Sequence, residues 1–202
     1  MKPFAFVFAA ACAVAAALSS AAPVIGQPAP DFTLTDSTGT PQTLSAYKGR
    51  VVVLEWTNPE CPFVRKHYGA GNLQKQQADA AAAGVVWLTV NSSAPGKQGH
   101  LDADAANAWV SAAGGHAQAY LLDADGTVGH AYDAKTTPDM YVVDAQGVLR
   151  YMGGIDSIAS ADKDDLAHAT QYVPQALAEI AAGKPVSVPV SEPYGCSVKY
   201  AR

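Results

Sequence analysis

The stretch that most constrains this chain is Val51-Val52-Val53-Leu54-Glu55-Trp56, followed at once by Thr57-Asn58-Pro59-Glu60-Cys61-Pro62. The first six residues are a mostly β-branched run with too little polar alternation for a half-wet edge, so the strand they form belongs inside a sheet, covered on both faces. Thr57-Asn58-Pro59 ends it. Pro62 suits the first position of a helix, where its missing N–H leaves nothing unpaired, and this makes Cys61 the residue that caps that helix. A sulfur at that point faces free N–H groups and the positive end of the helix dipole. Arg65 and Lys66 add positive charge within about a turn, so Cys61 is expected to ionise below a free thiol and to act as a nucleophile.

The remaining cysteines depend on where the chain is sent. Met1-Lys2-Pro3 precedes an apolar run from Phe4 to Leu18, and Ser19-Ser20-Ala21-Ala22 supplies small residues for cleavage after Ala21. Such a run is short for a membrane span and reads as a secretory signal peptide over residues 1–21, which makes the mature protein exported, periplasmic or secreted. Cys12 leaves with the leader. So does Lys2, its only charged residue, which takes the formal net charge from −5 to −6. No basic cluster survives beyond Arg65-Lys66-His67, so neither nucleic acid nor a membrane surface is expected as a partner. Cys61 and Cys196 remain, in a compartment where disulfides form and persist.

The rest of the chain alternates strands and helices. Residues 26–44 form two short strands around a Ser37-Thr38-Gly39-Thr40 turn, a β-hairpin. A helix runs from Cys61 towards Ala83 and is weakened at Gly69-Ala70-Gly71. Val85 to Asn91 is a second buried strand, parallel to the first through a βαβ unit, and the polar loop Ser92 to His100 emerges at the same sheet edge as Cys61. Asp102 to Ala113 is a helix, Ala119 to Leu122 a third strand, and Thr127 to Tyr132 a short helix. Lys135-Thr136-Thr137-Pro138 then leads into a hairpin of Asp139–Asp144 with Val148–Met152. A proline directly before a buried strand calls for a special turn, a cis bond among the options. Leu166 to Ala182 is helical by spacing, with Pro174 interrupting the pattern, and the proline-rich tail, residues 183–202, is expected to lie extended along the surface with Cys196 on it.

These features together resemble the thioredoxin fold, with the N-terminal hairpin of the peroxiredoxin and redoxin branch, over a domain spanning residues 22–182. The wording of residues 58–64, 91–96 and 135–138 and of Tyr194-Gly195-Cys196-Ser197 is similar to exported redoxins of the AhpC/TSA-type superfamily called peroxiredoxin-like. The resemblance implies an α/β fold with a central mixed sheet flanked by helices. It also implies that Cys61 matches the first cysteine of the thioredoxin Cys-x-x-Cys pair, with Val64 standing in place of the second. The peroxiredoxin triad of cysteine, threonine and proline would fall on Val64, Cys61 and Thr57, and it is absent. Pro138, with Thr137, matches the proline that faces the active thiol and contacts extended substrates; Asn58, Pro62 and Arg65 complete the substrate-binding candidates. Glu55 matches a buried acid that serves proton transfer.

Three readings follow. In the first, Cys61 performs thiol-disulfide exchange on protein or small-molecule thiols and disulfides, with Cys196 as resolving cysteine and an unidentified electron donor. The second is a peroxide-reducing antioxidant. The third is a non-catalytic binding module with a structural Cys61–Cys196 bridge, which would close about 135 residues and contribute on the order of 4–5 kcal/mol. No cofactor and no metal are expected, since His67, His100, His116, His130 and His168 are scattered without ligand spacing and no Cys-x-x-Cys-His marks a haem. Arg65 and Lys66 could equally be solvated helix residues.

Overall fold

A computed structural model describes residues 22–201, so the leader expected over residues 1–21 lies outside the described residues. The run beginning at Val51 becomes β3 (Val52–Trp56), every residue of which is buried. It sits at the centre of a five-stranded sheet ordered β5-β4-β3-β7-β8, where β4 is Val86–Asn91, β5 Ala119–Leu122, β7 Asp139–Val143 and β8 Leu149–Gly153. On one side β3 pairs in parallel with β4, Leu54 opposite Leu88. On the other it pairs antiparallel with β7, Leu54 opposite Tyr141. The N-terminal hairpin is present as β1 (Thr33–Thr35) and β2 (Pro41–Thr43).

Alternation along β3 divides the core. Val52, Leu54 and Trp56 face a cluster with Phe32, Leu121 and Tyr132, while Val53 faces Leu73, Trp87, Met140 and Val173 on the opposite side. The helix after Cys61 is two helices, α1 (Pro62–Gly69) and α2 (Asn72–Ala82), because Gly71 takes a positive φ of 71° between them. Helix α3 (Ala103–Ala113) is capped by Asp102, whose carboxylate accepts the Ala105 N–H at 2.9 Å, and α4 (Thr127–Ala131) is one short turn longer than a loop.

The helical stretch read over 166–182 is indeed not one helix, but the break falls before Pro174 rather than at it. Residues 163–167 form a 3₁₀ turn, and α5 (Tyr172–Ala181) starts two residues before Pro174. Proline fits only the first turn of a helix, so Pro174 fixes where α5 must begin rather than breaking it. The tail is extended as expected, but it is a strap with bonding partners along its length. Met152 N–H donates to the Pro189 carbonyl and Ser191 N–H to the Met152 carbonyl. Farther on, β9 (Cys196–Ser197) pairs antiparallel with β6 (Thr136–Thr137).

Leu54 is fully buried at the crossing of the parallel and antiparallel pairings. Leu54→Ala is expected to lower unfolding free energy by about 2–5 kcal/mol in urea titrations.

Candidate active site

The turn after β3 is held by Asn58. Its carbonyl accepts the Cys61 N–H at 3.0 Å, its side-chain oxygen accepts the Glu60 N–H at 2.9 Å, and its amide donates to the Gln98 carbonyl at 3.3 Å. Asn58 is therefore spent on shaping the loop and on joining it to the 92–100 segment, which also meets Glu60 through the Gly99 N–H at 3.0 Å. That segment walls the site, as its position at the sheet edge implies. Cys61 caps α1 with extended φ and ψ of −71° and 125°.

The sulfur is fully buried and its S–H donates to the Thr137 carbonyl at 3.0 Å. The Thr137–Pro138 bond is cis. Opposite Thr137 in the β6–β9 pair stands Cys196, and both cysteines are free thiols. Gly195 makes this approach feasible: at its φ of 138°, a Cβ would lie 2.0 Å from the Thr137 oxygen. Two thiols distant in sequence thus adjoin across Thr137.

Their ionisation is divided between them. Burial opposes a charge on Cys61, but the Cys196 thiol, the N–H groups of Val64 and Cys196 and the Thr137 hydroxyl favour the anion, and the net effect holds Cys61 below an ordinary thiol. Burial and the neighbouring Cys61 push Cys196 up to about 11, with Lys199 opposing weakly. The first proton lost by the pair thus comes from Cys61, leaving Cys196 as a donor beside it. Arg65 and Lys66, invoked above as the cationic neighbours, do not carry the shift. Arg65 is exposed and donates from Nε to the Pro59 carbonyl at 3.0 Å, and the buried Lys66 is paired with Asp156 at 3.6 Å.

Of the other expected residues, Thr137 and Pro138 are buried against Cys61, whereas Pro62 and Arg65 are at the surface. Glu55 is fully buried, accepting from the Trp87 indole N–H at 2.8 Å, the Tyr68 hydroxyl at 3.0 Å and the Gln77 amide at 3.1 Å. Burial pushes its carboxyl up to about 7 against these hydrogen bonds. None of its hydrogen-bond partners is Cys61. A second buried carboxyl, Asp139, is likewise pushed by burial up to about 7.

One cluster escaped the sequence reading. Lys66 and His67 from α1, Asp156 after β8 and Tyr194 from the tail meet in the interior, the first three with almost no exposure. The available signal was an aspartate in the otherwise uncharged run Tyr151-Met152-Gly153-Gly154-Ile155-Asp156, a place where a lone carboxylate needs a buried partner.

Residues 25–152 match the AhpC/TSA family. The chain belongs to the AhpC/TSA family. A hypothetical protein from Sinorhizobium meliloti is 27% identical, with a TM-score of 0.74 over 90% of this chain and 97% of that one. At lower identity, a Chlorobium tepidum protein described as a thiol:disulfide interchange protein DsbE is 24% identical, with a TM-score of 0.54 over 73% of this chain and 95% of the other. Peroxidoxin BcpB from Mycobacterium tuberculosis is 20% identical, with a TM-score of 0.56 over 79% and 97%. These last two share the fold, which is thioredoxin-like. No curated protein matches the sequence. Family and fold together make this a thiol-based redox protein.

Two measurements check the electrostatics. Thiolate absorbance should show Cys61 titrating below a free thiol, and Cys196→Ala should move that titration upward. For Glu55, a carboxyl raised on folding favours the folded state at low pH and loses that contribution as pH rises through the folded value. Between about pH 5 and pH 8 the parent should lose on the order of 3 kcal/mol from this group. Glu55→Gln should flatten that decline, and an unchanged slope in urea unfolding would refute the assignment.

Proposed function

We propose that this protein, exported by its apolar leader, reduces disulfides through Cys61 and Cys196. The Cys61 thiolate attacks a disulfide of a protein or small-molecule partner, forming a mixed disulfide and releasing one partner thiolate. Cys196 then gives up its proton and attacks the Cys61 sulfur, so that a Cys61–Cys196 bridge forms and the second partner thiolate leaves. Two electrons pass to the partner, and an external dithiol returns the bridge to two thiols. The reverse sequence makes the bridged form an oxidant.

The observation that carries this reading is the meeting of two free thiols across Thr137, one held low and the other high in pKa. It supplies a resolving partner for Cys61 where Val64 occupies the usual second position. The free thiols also favour exchange over the permanently bridged module. Peroxide reduction is less favoured, since the peroxidase position holds Val64.

Cys61→Ser is expected to abolish reduction of a protein disulfide, while Cys196→Ser should retain the attack and accumulate a Cys61 mixed disulfide detectable by intact mass. Full activity in Cys61→Ser would refute the proposal. Stopped-flow oxidation of Cys61 by hydrogen peroxide is expected to run no faster than that of free cysteine, and a much faster reaction would instead establish the peroxidase.

A further inference from the structure

The buried cluster under the tail forms a directed chain of hydrogen bonds. Asn72 donates its amide to His67 Nδ1 at 2.8 Å, so the neutral ring carries its proton on Nε2. Burial, with Lys66 beside it, outweighs Asp156 and holds His67 down to about 4, which keeps the ring neutral. His67 Nε2 then donates to the Tyr194 hydroxyl at 3.3 Å, and Tyr194 donates to Asp156 Oδ1 at 2.5 Å. The other carboxylate oxygen of Asp156 faces Lys66 at 3.6 Å. The Tyr194 ring is held as well, edge-on to Phe63 at 5.7 Å and with the Lys66 ammonium 5.8 Å from its centroid. Phe63, Lys66 and His67 all belong to α1, the helix that Cys61 caps.

Tyr194 is two residues before Cys196, and Gly195 stands between them. Beyond Cys196 the tail has a second, simpler attachment. The Tyr200 hydroxyl donates to the Ala134 carbonyl at 2.8 Å and its ring stacks on His130 at 4.0 Å. Gly129 makes room for it, since a Cβ there would lie 2.5 Å from that hydroxyl. Between them the Val198 N–H donates to the Lys135 carbonyl at 3.0 Å and the Lys199 carbonyl accepts the Ala94 N–H at 2.8 Å. The Tyr194 attachment ties the tail to the helix that Cys61 caps through a buried carboxylate, whereas those beyond Cys196 tie it to the loops around the site. Cys61 is fully buried, and the tail strand that carries Cys196 lies against Thr137 beside it.

We infer that Tyr194, held by Asp156, is the positioning residue of the resolving thiol: it keeps Cys196 within reach of Cys61 when the segment from Cys196 to Tyr200 swings about Gly195 to admit a disulfide. This rests on the exchange reading given above. A flexible tether of a few residues keeps its free end at high effective concentration, and loss of the fixed point dilutes it over a longer chain.

The test uses the full reduced protein and dithionitrobenzoate, an aromatic disulfide, followed by stopped-flow absorbance of released thionitrobenzoate. Attack by Cys61 forms the protein–aryl disulfide and releases one thionitrobenzoate. Attack by Cys196 on the Cys61 sulfur forms the bridge and releases the second, with two thiols oxidised, the reagent reduced and two protons given to solvent. In the parent both phases should appear. Ser191, bonded to Gly154 and Tyr151, is the next fixed point upstream, so loss of the Tyr194 anchor lengthens the tether to Cys196 from two residues to five. Tyr194→Phe keeps the ring and removes only the hydroxyl, and it should slow the second phase by about fourfold without slowing the first. Tyr200→Ala, which loosens the far end and leaves the anchor, should speed the first phase and change the second by less than about twofold.

A second phase unchanged in Tyr194→Phe overturns the inference while leaving the exchange reading intact. Equal slowing in both variants overturns it too, because any loosening of the tail would then suffice. A parent that releases only one equivalent overturns both readings. Should Tyr194→Phe prove poorly folded, Asp156→Asn preserves an acceptor for the hydroxyl while removing the charge opposite Lys66. By weakening the anchor it should slow the second phase relative to the parent without slowing the first, and a second phase equal to the parent's overturns the inference.

Discussion

The backbone of Thr137 is the point on which the site depends. Its carbonyl accepts the Cys61 S–H, its strand pairs with Cys196, and it lies so close to Gly195 that no side chain fits between them. A single peptide unit thereby brings together residues 61, 137 and 196, which share no local segment. Its position is fixed from behind. Pro138 leads into β7, which pairs with every residue of β3, and β3 delivers the turn that carries Cys61. Displacing Thr137 would disturb both sulfurs together, while displacing the tail would disturb only one.

Burial explains why the pair is asymmetric. Cys61 sits where several donors converge, so the cost of removing its charge from water is more than offset by hydrogen bonds to the anion. Cys196 meets the same low-polarity surroundings with the Cys61 sulfur beside it, and its proton is held more tightly. A nucleophile ready to ionise and a partner that stays protonated until the mixed disulfide has formed is the division of labour that disulfide exchange requires. The tail that helps to create this environment is fastened along its length, through Ser191 to β8, through Tyr194 to a buried carboxylate and through Val198, Lys199 and Tyr200 to the loops around the site.

Much of this was legible in the residues themselves. The β-branched run from Val51 announces a central strand, Pro62 announces the helix start and the identity of its cap, and Thr-Pro before Asp139 announces a special turn. Each of these is a local rule about backbone geometry or missing donors. The reading of Lys66 and His67 fell short for a different reason. A basic residue on a helix is ordinarily solvated, and nothing within a turn of these two reveals the carboxylate that buries them, since Asp156 arrives from the far side of the sheet sequence. Pro174 was similarly ambiguous, because a proline both ends and begins helices and only the packing of Val173 and Ala176 shows which. Glu55 was singled out by its match to a buried acid of the thioredoxin fold, yet its hydrogen bonds lead to Trp87, Tyr68 and Gln77.

The sequence by itself determined the order of strands and helices, the α/β class of the fold and the place of Cys61 at the cap of a helix, because hydrophobic period, proline placement and capping act over a few residues. Only the tertiary structure decided that Cys196 faces Cys61, that hydrogen bonds rather than Arg65 and Lys66 favour the thiolate, and that Tyr194 is tied to the helix of the nucleophile. Those outcomes turn on contacts between segments far apart in the chain, 59 residues for Thr137 and Cys196, 76 for Cys61 and Thr137 and 127 for His67 and Tyr194. Their approach is set by how the sheet, the cis Thr137–Pro138 turn and the tail close on one another, which no local pattern encodes.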